Sequence, residues 1–248
     1  MGLVQTEAIV LKSFPLGDHD KIVVLFTRSL GKISGVAQGA RRIRSQFSGN
    51  LEILNWIEII FFLKEGRDLV SIDKVSLITS YSSNLPTYRC FLQLTWLAEL
   101  VFETTPEKEP NDSLFRLMLL VLPRISKSSI SDLAQLYFEI WYLRLSGLFP
   151  SCRSCHVCGG VLGNDDLVFL SADFTRFCCT DCNRDSDIRL SLDTFRWLRS
   201  VLTNSLEDLE CSLPRRDEIS ALSNIVESMI EKSFERRFSC LRLIQSER

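Results

Sequence analysis

The sequence predicts an α+β protein, in which a small five-stranded β-barrel is followed by an α-helical domain with an inserted four-cysteine zinc module. Residues 1–80 consist of short apolar segments separated by turn residues, which is typical of an antiparallel barrel. From about residue 85 the apolar residues recur at helical spacing. Two C-x-x-C pairs interrupt the helices within about residues 150–185. We therefore expect a barrel domain at 1–80 and a helical domain at 81–248.

The five predicted strands are rich in Val, Ile, Leu and Phe, and turns that contain glycine separate them. In the fourth strand Ile57, Ile59 and Phe61 share one face, whereas Trp56 and Ile60 share the other. Both faces are largely apolar, so packed helices should cover the outside of the barrel. The predicted strands span residues 4–13, 21–27, 32–38, 51–63 and 69–80.

The helical pattern begins near residue 85, where Leu92, Trp96 and Leu100 recur every four residues. Trp96 and Trp141 fit a helical core better than a ligand site. Gly147 should end the third helix, because glycine commonly terminates helices. The later helices are predicted at residues 113–124, 131 to about 146, 191–206 and 216–238.

Composition constrains the partners of the chain. The 29 Lys and Arg residues against 31 Asp and Glu residues give a net charge of −2, so any nucleic-acid surface must be local. No apolar run approaches the roughly 20 residues of a membrane helix, and no secretory signal is visible at the N-terminus. Nine cysteines without such a signal favour a reducing compartment and metal ligation over disulfides. We expect a cytoplasmic protein.

The two C-x-x-C pairs are Cys155/Cys158 and Cys179/Cys182, and 20 residues separate them, close to the spacing of known zinc sites. Each pair can place two thiolates on one side of a tight turn, and two turns supply the four ligands of a tetrahedral zinc. Such a site is coordinatively closed, so it stabilises a module and leaves no position for a catalytic water. The expected cofactor is structural zinc.

Two further cysteines in the segment, Cys152 and Cys178, leave the choice of ligands open. Cys152 forms a C-x-x-C of its own with Cys155, and Cys178 adjoins the second pair. Gly159 favours Cys158 as a ligand of the first turn, because a glycine after the second cysteine lets the backbone turn toward the sulfurs. The alternative is a vestigial site of buried apolar cysteines.

The segment after the third predicted strand is basic and should form a barrel loop. Arg41, Arg42 and Arg44 supply guanidinium groups that match phosphate oxygens. Phe47 offers a ring on which a base can stack, and Lys32 on the preceding strand can extend the positive surface. Because loops of such barrels bind oligonucleotides, we predict a nucleic-acid contact here. A solvated loop that only aids solubility is the alternative.

Taken together and in this order, these motifs resemble the RecO family of bacterial recombination mediators over essentially the whole chain. The resemblance lies in residues 7–12, 17–27, 31–32, 39–42 and 45 and in the cysteine module. It implies an N-terminal OB-fold barrel, a helical domain and a zinc insert. It also implies a role for particular residues: Lys32, Arg41, Arg42 and Arg44 as DNA contacts, and Cys155, Cys158, Cys179 and Cys182 as zinc ligands.

The function that the resemblance implies is non-enzymatic. RecO-like proteins act in DNA repair and homologous recombination: they bind single- and double-stranded DNA, anneal complementary strands and help load the RecA recombinase on strands coated by the single-strand DNA-binding protein. The expected partners are therefore DNA, RecR and the single-strand DNA-binding protein, with a functional link to RecA and RecF. The expected location is the cytoplasm, at the nucleoid.

Two alternatives belong to other classes of protein. A nuclease would use Asp18 and Asp20 with a divalent ion, although His19 between them is typical of a surface turn. A zinc-ribbon RNA-binding or ribosome-associated protein would also explain the cysteines. One departure from the family is that Thr175-Arg176 stands where a Gly-Gly pair usually precedes the second cysteine pair.

Overall fold

The computed structural model describes residues 2–63, 66, 68–127, 130–163, 167–211 and 215–246. The chain divides into two compact units, which are described separately below. The first comprises Met1–Ser131 together with Phe238–Arg248, and the second comprises Asp132–Arg237. This division differs from the expected one at residue 80, because helices that follow the barrel in sequence belong to the same compact unit as the barrel.

The first unit contains a closed five-stranded barrel in the strand order β1-β2-β3-β5-β4. All neighbouring strands are antiparallel except β3 and β5, which are parallel. β1 is long enough to serve two neighbours, because residues 2–9 pair with β4 and residues 8–16 pair with β2. The strands are β1 (Gly2–Leu16), β2 (Asp20–Thr27), β3 (Gly31–Ala37), β4 (Asn55–Leu63) and β5 (Leu69–Ser80).

All five predicted strands are present, and the fourth begins later than expected. Leu54 adopts a φ of 63°, and its N–H donates to the Val10 carbonyl at 2.7 Å. This turn delays the β4 ladder to Asn55. Leu51, which precedes the turn, still packs into the barrel interior.

The barrel interior follows the alternation of the strands. Ile57, Ile59 and Phe61 of β4 are fully buried there, as their shared face predicts. On the opposite side of the sheet, Phe26 of β2 is 1% exposed, and its ring centroid lies 6.1 Å from that of Phe115 in a helix of the same unit. The expected helical cover over the outside of the barrel is therefore present at β2.

The predicted helices are present in the predicted order, but several of their bounds differ and two short helices were not predicted. The helix at 112–127 continues past Pro123, because Val121, Leu122 and Ile125 are fully buried and packing outweighs local propensity. The helix predicted at 191–206 ends at Thr203, and the helix predicted at 216–238 ends at Ser233. Each is followed by a short helix that was not predicted. The helices are α1 (Tyr88–Thr104), α2 (Asp112–Lys127), α3 (Ser131–Leu145), α4 (Leu192–Thr203), α5 (Leu206–Cys211), α6 (Arg216–Ser233) and α7 (Ser239–Ser246).

In the first unit α7 packs back against α1. The rings of Trp96 and Phe238 meet edge to face at a centroid distance of 4.9 Å. The carboxylate of Glu99 accepts hydrogen bonds from the backbone N–H groups of Ser239 and Cys240 at 3.2 and 3.0 Å. The carboxylate thus accepts from N–H groups that have no partner within the helix, and its negative charge interacts favourably with the helix dipole at the N-terminus of α7.

The second unit places a small three-stranded sheet between α3 and α4 in sequence, and none of its strands was predicted. The strands are too short to show a period in the sequence. They are β6 (Val168–Leu170), β7 (Phe177–Cys178) and β8 (Ile188–Leu190), in the order β7-β6-β8. In the part of the chain that the structure describes, every helix is too short or too polar to cross a lipid bilayer.

Candidate metal centre and candidate nucleic-acid interface

Cys155, Cys158, Cys179 and Cys182 lie together in the second unit. Their sulfur atoms are all within 4.8 Å of one another, and the Sγ atoms of Cys158 and Cys179 are 3.8 Å apart. A tetrahedral zinc with bonds of about 2.3 Å requires sulfurs about 3.8 Å apart. The four side chains therefore fit zinc in number, chemical type and spacing.

The first cysteine pair is held by a tight backbone turn. The Gly159 N–H donates to the Cys155 carbonyl at 2.9 Å, and Gly159 has a φ of 75°. Only glycine adopts this left-handed conformation without cost, as the sequence predicted for this position. The Cys155 N–H donates in turn to the Gly160 carbonyl at 2.7 Å.

The second pair follows β7. A single 3₁₀ turn over Thr180–Cys182 brings Cys182 back toward Cys179, and the Cys182 N–H donates to the Cys179 carbonyl at 3.2 Å. The two turns are joined directly, because the His156 N–H donates to the Phe177 carbonyl at 3.0 Å. Both cysteine turns therefore belong to one hydrogen-bonded module.

Cys152 and Cys178 lie outside the four-sulfur group. Cys178 is 1% exposed within β7, and burial raises the pKa of its thiol. Burial also raises the pKa of Cys152. Among the described residues, the structure thus brings together the four cysteines that the sequence favoured and separates the two competitors.

Two thiols of the group have pKa values that are shifted in opposite directions. Burial acts to raise the pKa of Cys155, but backbone N–H groups of Cys158, Cys179 and Val157 outweigh it and lower the pKa to about 6. Hydrogen bonding with Cys179 is the main cause that raises the pKa of Cys182 to about 12. A bound divalent cation would hold the sulfurs as thiolates, because its charge offsets the repulsion between them.

The hairpin before the second pair turns at Phe174 and is held by the side chain of Asp173. Phe174 takes the left-handed position, with a φ of 61°. One carboxylate oxygen of Asp173 accepts hydrogen bonds from the Ser171 and Thr175 hydroxyls at 2.5 and 2.9 Å and from the Thr175 N–H at 3.3 Å. These bonds, with that from Ser171 the strongest, lower the pKa of Asp173 to about 2. Side-chain hydrogen bonds therefore stabilise this hairpin turn.

The basic loop lies in the first unit, between β3 and β4. The turn after β1 fixes its start: the Arg41 N–H donates to the His19 carbonyl at 2.9 Å, and an Arg41 guanidinium nitrogen donates to the Gly17 carbonyl at 2.8 Å. Asp20 accepts from the Gly39 N–H at 2.7 Å. The carboxylate of Asp20 thus has a structural role in bracing the loop.

The arginines of the loop are available to a ligand. Arg41, Arg42 and Arg44 are exposed. Across the described residues, none of the three forms an ion pair with a carboxylate of its own chain. Their charge is therefore not neutralised locally, and the loop presents a cationic surface.

Two residues predicted for this interface require correction. Phe47 is 3% exposed and packs in the barrel core, so its ring is not placed to stack on a base. Lys32 is 9% exposed, and its ammonium donates to the Phe102 carbonyl at 2.6 Å and lies 5.5 Å from the Phe102 ring centroid. Burial lowers the pKa of Lys32. Both side chains support the fold at these positions.

Ile43 is a feature of the loop that the sequence pattern did not single out. Its side chain is 101% exposed, more than any other large apolar side chain among the described residues. The sequence did contain a signal for this exposure. Ile43 is an apolar residue between two arginines, in a segment that has no strand or helix period to bury it.

Comparison with known proteins covers almost the whole chain. The family described as "Recombination protein O N terminal" matches residues 1–81, and "Recombination protein O C terminal" matches residues 89–241. The chain is similar to the "DNA repair protein RecO" of Koribacter versatilis (strain Ellin345), with 30% identity over 98% of each chain. It is also similar to proteins of that name from Dehalococcoides mccartyi, at 27% identity over 98% of this chain and 95% of the relative, and from Bifidobacterium animalis subsp. lactis, at 28% over 98% and 100%.

Proposed function

The chain belongs to the RecO family, and from this premise we propose that it mediates DNA repair and homologous recombination by binding DNA through the barrel loop. The observation that carries the proposal is the set of exposed arginines Arg41, Arg42 and Arg44, whose charge no carboxylate of the described chain neutralises. The turn at residues 17–20 holds the loop in place, so little conformational entropy is lost when DNA binds.

The proposed mechanism is electrostatic. Guanidinium groups neutralise backbone phosphates and release condensed counterions, so the affinity for DNA should fall steeply with salt. Phosphate contacts leave the base edges free to pair. Two complementary strands whose charge is screened in this way can anneal, and the step requires no covalent chemistry.

We further propose that RecR and the single-strand DNA-binding protein are partners of the chain, and that with them it helps load RecA in the pathway that includes RecF. The four cysteines are proposed to bind structural zinc. In that role the four cysteines stabilise a folded module in the second unit and do not contact the pairing bases. The proposed location is the cytoplasm, at the nucleoid.

The test of the interface is a double substitution, Arg41→Ala with Arg42→Ala. We expect affinity for labelled single-stranded DNA to fall about tenfold and the slope of log K against log salt to become less steep by up to about 1.4, because about 0.7 is lost per contact. Fluorescence anisotropy titrations between about 50 and 200 mM salt measure both quantities.

The matched control removes two exposed arginines elsewhere, Arg196→Ala with Arg242→Ala, on α4 and α7. It changes the net charge equally, so its effect measures the non-specific contribution. Equal losses in the two double variants would remove the loop from the interface.

Two further experiments test the alternative functions. Incubation of labelled complementary strands with magnesium would favour a nuclease if the strands were cleaved. A competition experiment would favour an RNA-binding protein if structured RNA displaced single-stranded DNA preferentially.

A further inference from the structure

Ile43 stands at the most accessible point of the basic loop. Its side chain is 101% exposed, whereas the barrel residues Leu3 and Ile78 are 63% and 44% exposed. Exposure of a whole apolar side chain to water is unfavourable, and the cost is recovered when the side chain enters an apolar environment. Within this loop, the residues around Ile43 are therefore of interest as a binding surface.

The loop conformation holds Ile43 outward. The Arg42 N–H donates to the Gly39 carbonyl at 3.1 Å, and the Ser45 N–H donates to the Arg42 carbonyl at 3.0 Å, which closes a turn that contains Ile43. Phe47 then anchors the chain in the barrel core. The fold thus pre-organises the exposed side chain, which reduces the entropy lost on binding.

The charges around Ile43 indicate what kind of partner would cover it. Arg42 and Arg44 precede and follow it directly, both exposed, and neither is ion-paired within the described chain. A partner must therefore offer closely spaced anions and an apolar surface between them. Nucleic acid does so, because phosphates border the stacked faces of the bases.

We propose that Ile43 is a wedge that inserts between neighbouring bases of bound DNA while Arg42 and Arg44 hold the adjacent phosphates. Apolar side chains such as Ile, Leu and Phe insert between base steps in this way in other DNA-binding proteins and unstack the bases. The inference rests on the proposed DNA-binding function and adds a contact that is independent of salt. The unstacked bases then face a strand that approaches to anneal.

The test uses the full-length protein and single-stranded DNA that contains 2-aminopurine, whose emission rises when the base is unstacked. We expect the unaltered protein to raise the emission on binding. Ile43→Ala should abolish most of this rise and weaken binding about tenfold, because an apolar contact is lost. The slope of log K against log salt should stay unchanged, since every arginine remains.

Two variants serve as controls for this test. Ile43→Leu keeps an apolar side chain of similar volume and should retain the emission rise. Ile78→Ala truncates a partly exposed isoleucine of β5 and should leave both emission and affinity as they were.

The outcomes separate the inference from the function on which it rests. Salt-sensitive binding with no emission change, or with equal changes in the unaltered protein and Ile43→Ala, overturns the wedge alone. Absence of DNA binding even at low salt overturns the proposed function and the wedge with it. An emission rise that Ile43→Ala loses and Ile43→Leu keeps supports the wedge.

Discussion

At the scale of single residues, the loop between β3 and β4 assigns opposite environments to side chains that are close in sequence. Arg42, Ile43 and Arg44 face solvent, whereas Phe47 lies in the barrel core with 3% exposure. The Phe47 N–H is bonded to the Ser45 hydroxyl at 3.2 Å, and its carbonyl accepts from the Asn50 N–H at 3.0 Å. The ring is thus the point at which the loop is fixed to the barrel.

We predict that Phe47→Ala destabilises the protein by about 3–5 kcal/mol, because it leaves a cavity in a close-packed core. Urea unfolding followed by circular dichroism measures the loss. Phe62→Ala is the control, since Phe62 of β4 is 37% exposed and its truncation leaves a smaller void. A Phe47→Ala protein of normal stability with weakened DNA binding would instead support the original expectation that the ring stacks on a base.

These environments show what could be predicted of the site from the sequence. The arginines could be identified from the sequence, because the positive charge that binds phosphate belongs to the residue type itself. The burial of Phe47 and Lys32 could not, because a loop has no period of two, and a lysine at a strand end can either face solvent or reach a carbonyl such as that of Phe102.

At the scale of elements, the two cysteine turns form one module, and their spacing predicted which four cysteines lie together. A C-x-x-C pair constrains both sulfurs to one turn, so few arrangements remain. The competitors were resolved only by the fold: Cys178 falls inside β7 and is buried, while Cys179 begins the 3₁₀ turn.

We predict that Cys179→Ser lowers the bound zinc and the thermal midpoint together, because a three-thiolate site binds zinc less tightly. Cys178→Ser is the matched control and should retain one zinc per chain, since its side chain is not part of the four-sulfur group. Metal analysis and thermal unfolding of both variants measure the effects. Full zinc content in Cys179→Ser with loss in Cys178→Ser would exchange the two assignments.

The β6–β7 hairpin should make stability depend on pH through Asp173. Its pKa is lowered to about 2, so the carboxylate contributes stability above the pKa of an unfolded Asp near 3.9, and that contribution is lost as the pH falls toward about 2. We predict that Asp173→Asn lowers the thermal midpoint at pH 7 and that the difference shrinks between about pH 4 and pH 3.

The control for this pH dependence is Asp185→Asn, an exposed carboxylate in the turn before β8. Its midpoint should follow that of the unaltered protein throughout. If Asp173→Asn and the unaltered protein differ by the same amount at pH 7 and at pH 3, the ionised carboxylate is not the cause of the difference.

The end of α6 is an element boundary that the sequence did not reveal. α6 ends at Ser233, and Glu235 adopts a φ of 49°, with the Arg236 N–H bonded to the Glu231 carbonyl at 3.0 Å. A glycine usually marks this left-handed position, so a glutamate there gives no visible stop signal. The segment to residue 238 was therefore predicted as one helix, and the separate α7 was missed.

At the scale of the whole molecule, the compact units do not follow the order of the chain. The C-terminal segment returns to the first unit, where Phe238 packs on Trp96 of α1 and Glu99 of α1 caps α7. Periodicity predicts elements but carries no information on which distant elements pair. The barrel could be predicted because its strands are consecutive in sequence, and the return of α7 could not.

The two candidate sites belong to different compact units: the basic loop belongs to the first and the four cysteines to the second. Zinc bound by four thiolates contributes about 10–16 kcal/mol in small zinc modules, which exceeds the stability of many domains. Loss of the metal should therefore affect the second unit severely. The closed barrel has its own apolar core, of which Leu25, Ile57 and Phe61 are members, and does not depend on thiolate ligands.

We predict that removal of zinc with a strong chelator opens the cysteine module while the barrel keeps its structure and its DNA affinity within about threefold. Hydrogen exchange resolved by peptide should show lost protection at residues 167–182 and unchanged protection at residues 2–16, because only the former depend on the metal. Anisotropy titration of the same sample measures the DNA affinity, and restored zinc should restore protection. Loss of DNA binding in step with the metal, while the barrel remains protected, would place the DNA contacts in the cysteine module and remove them from the arginine loop.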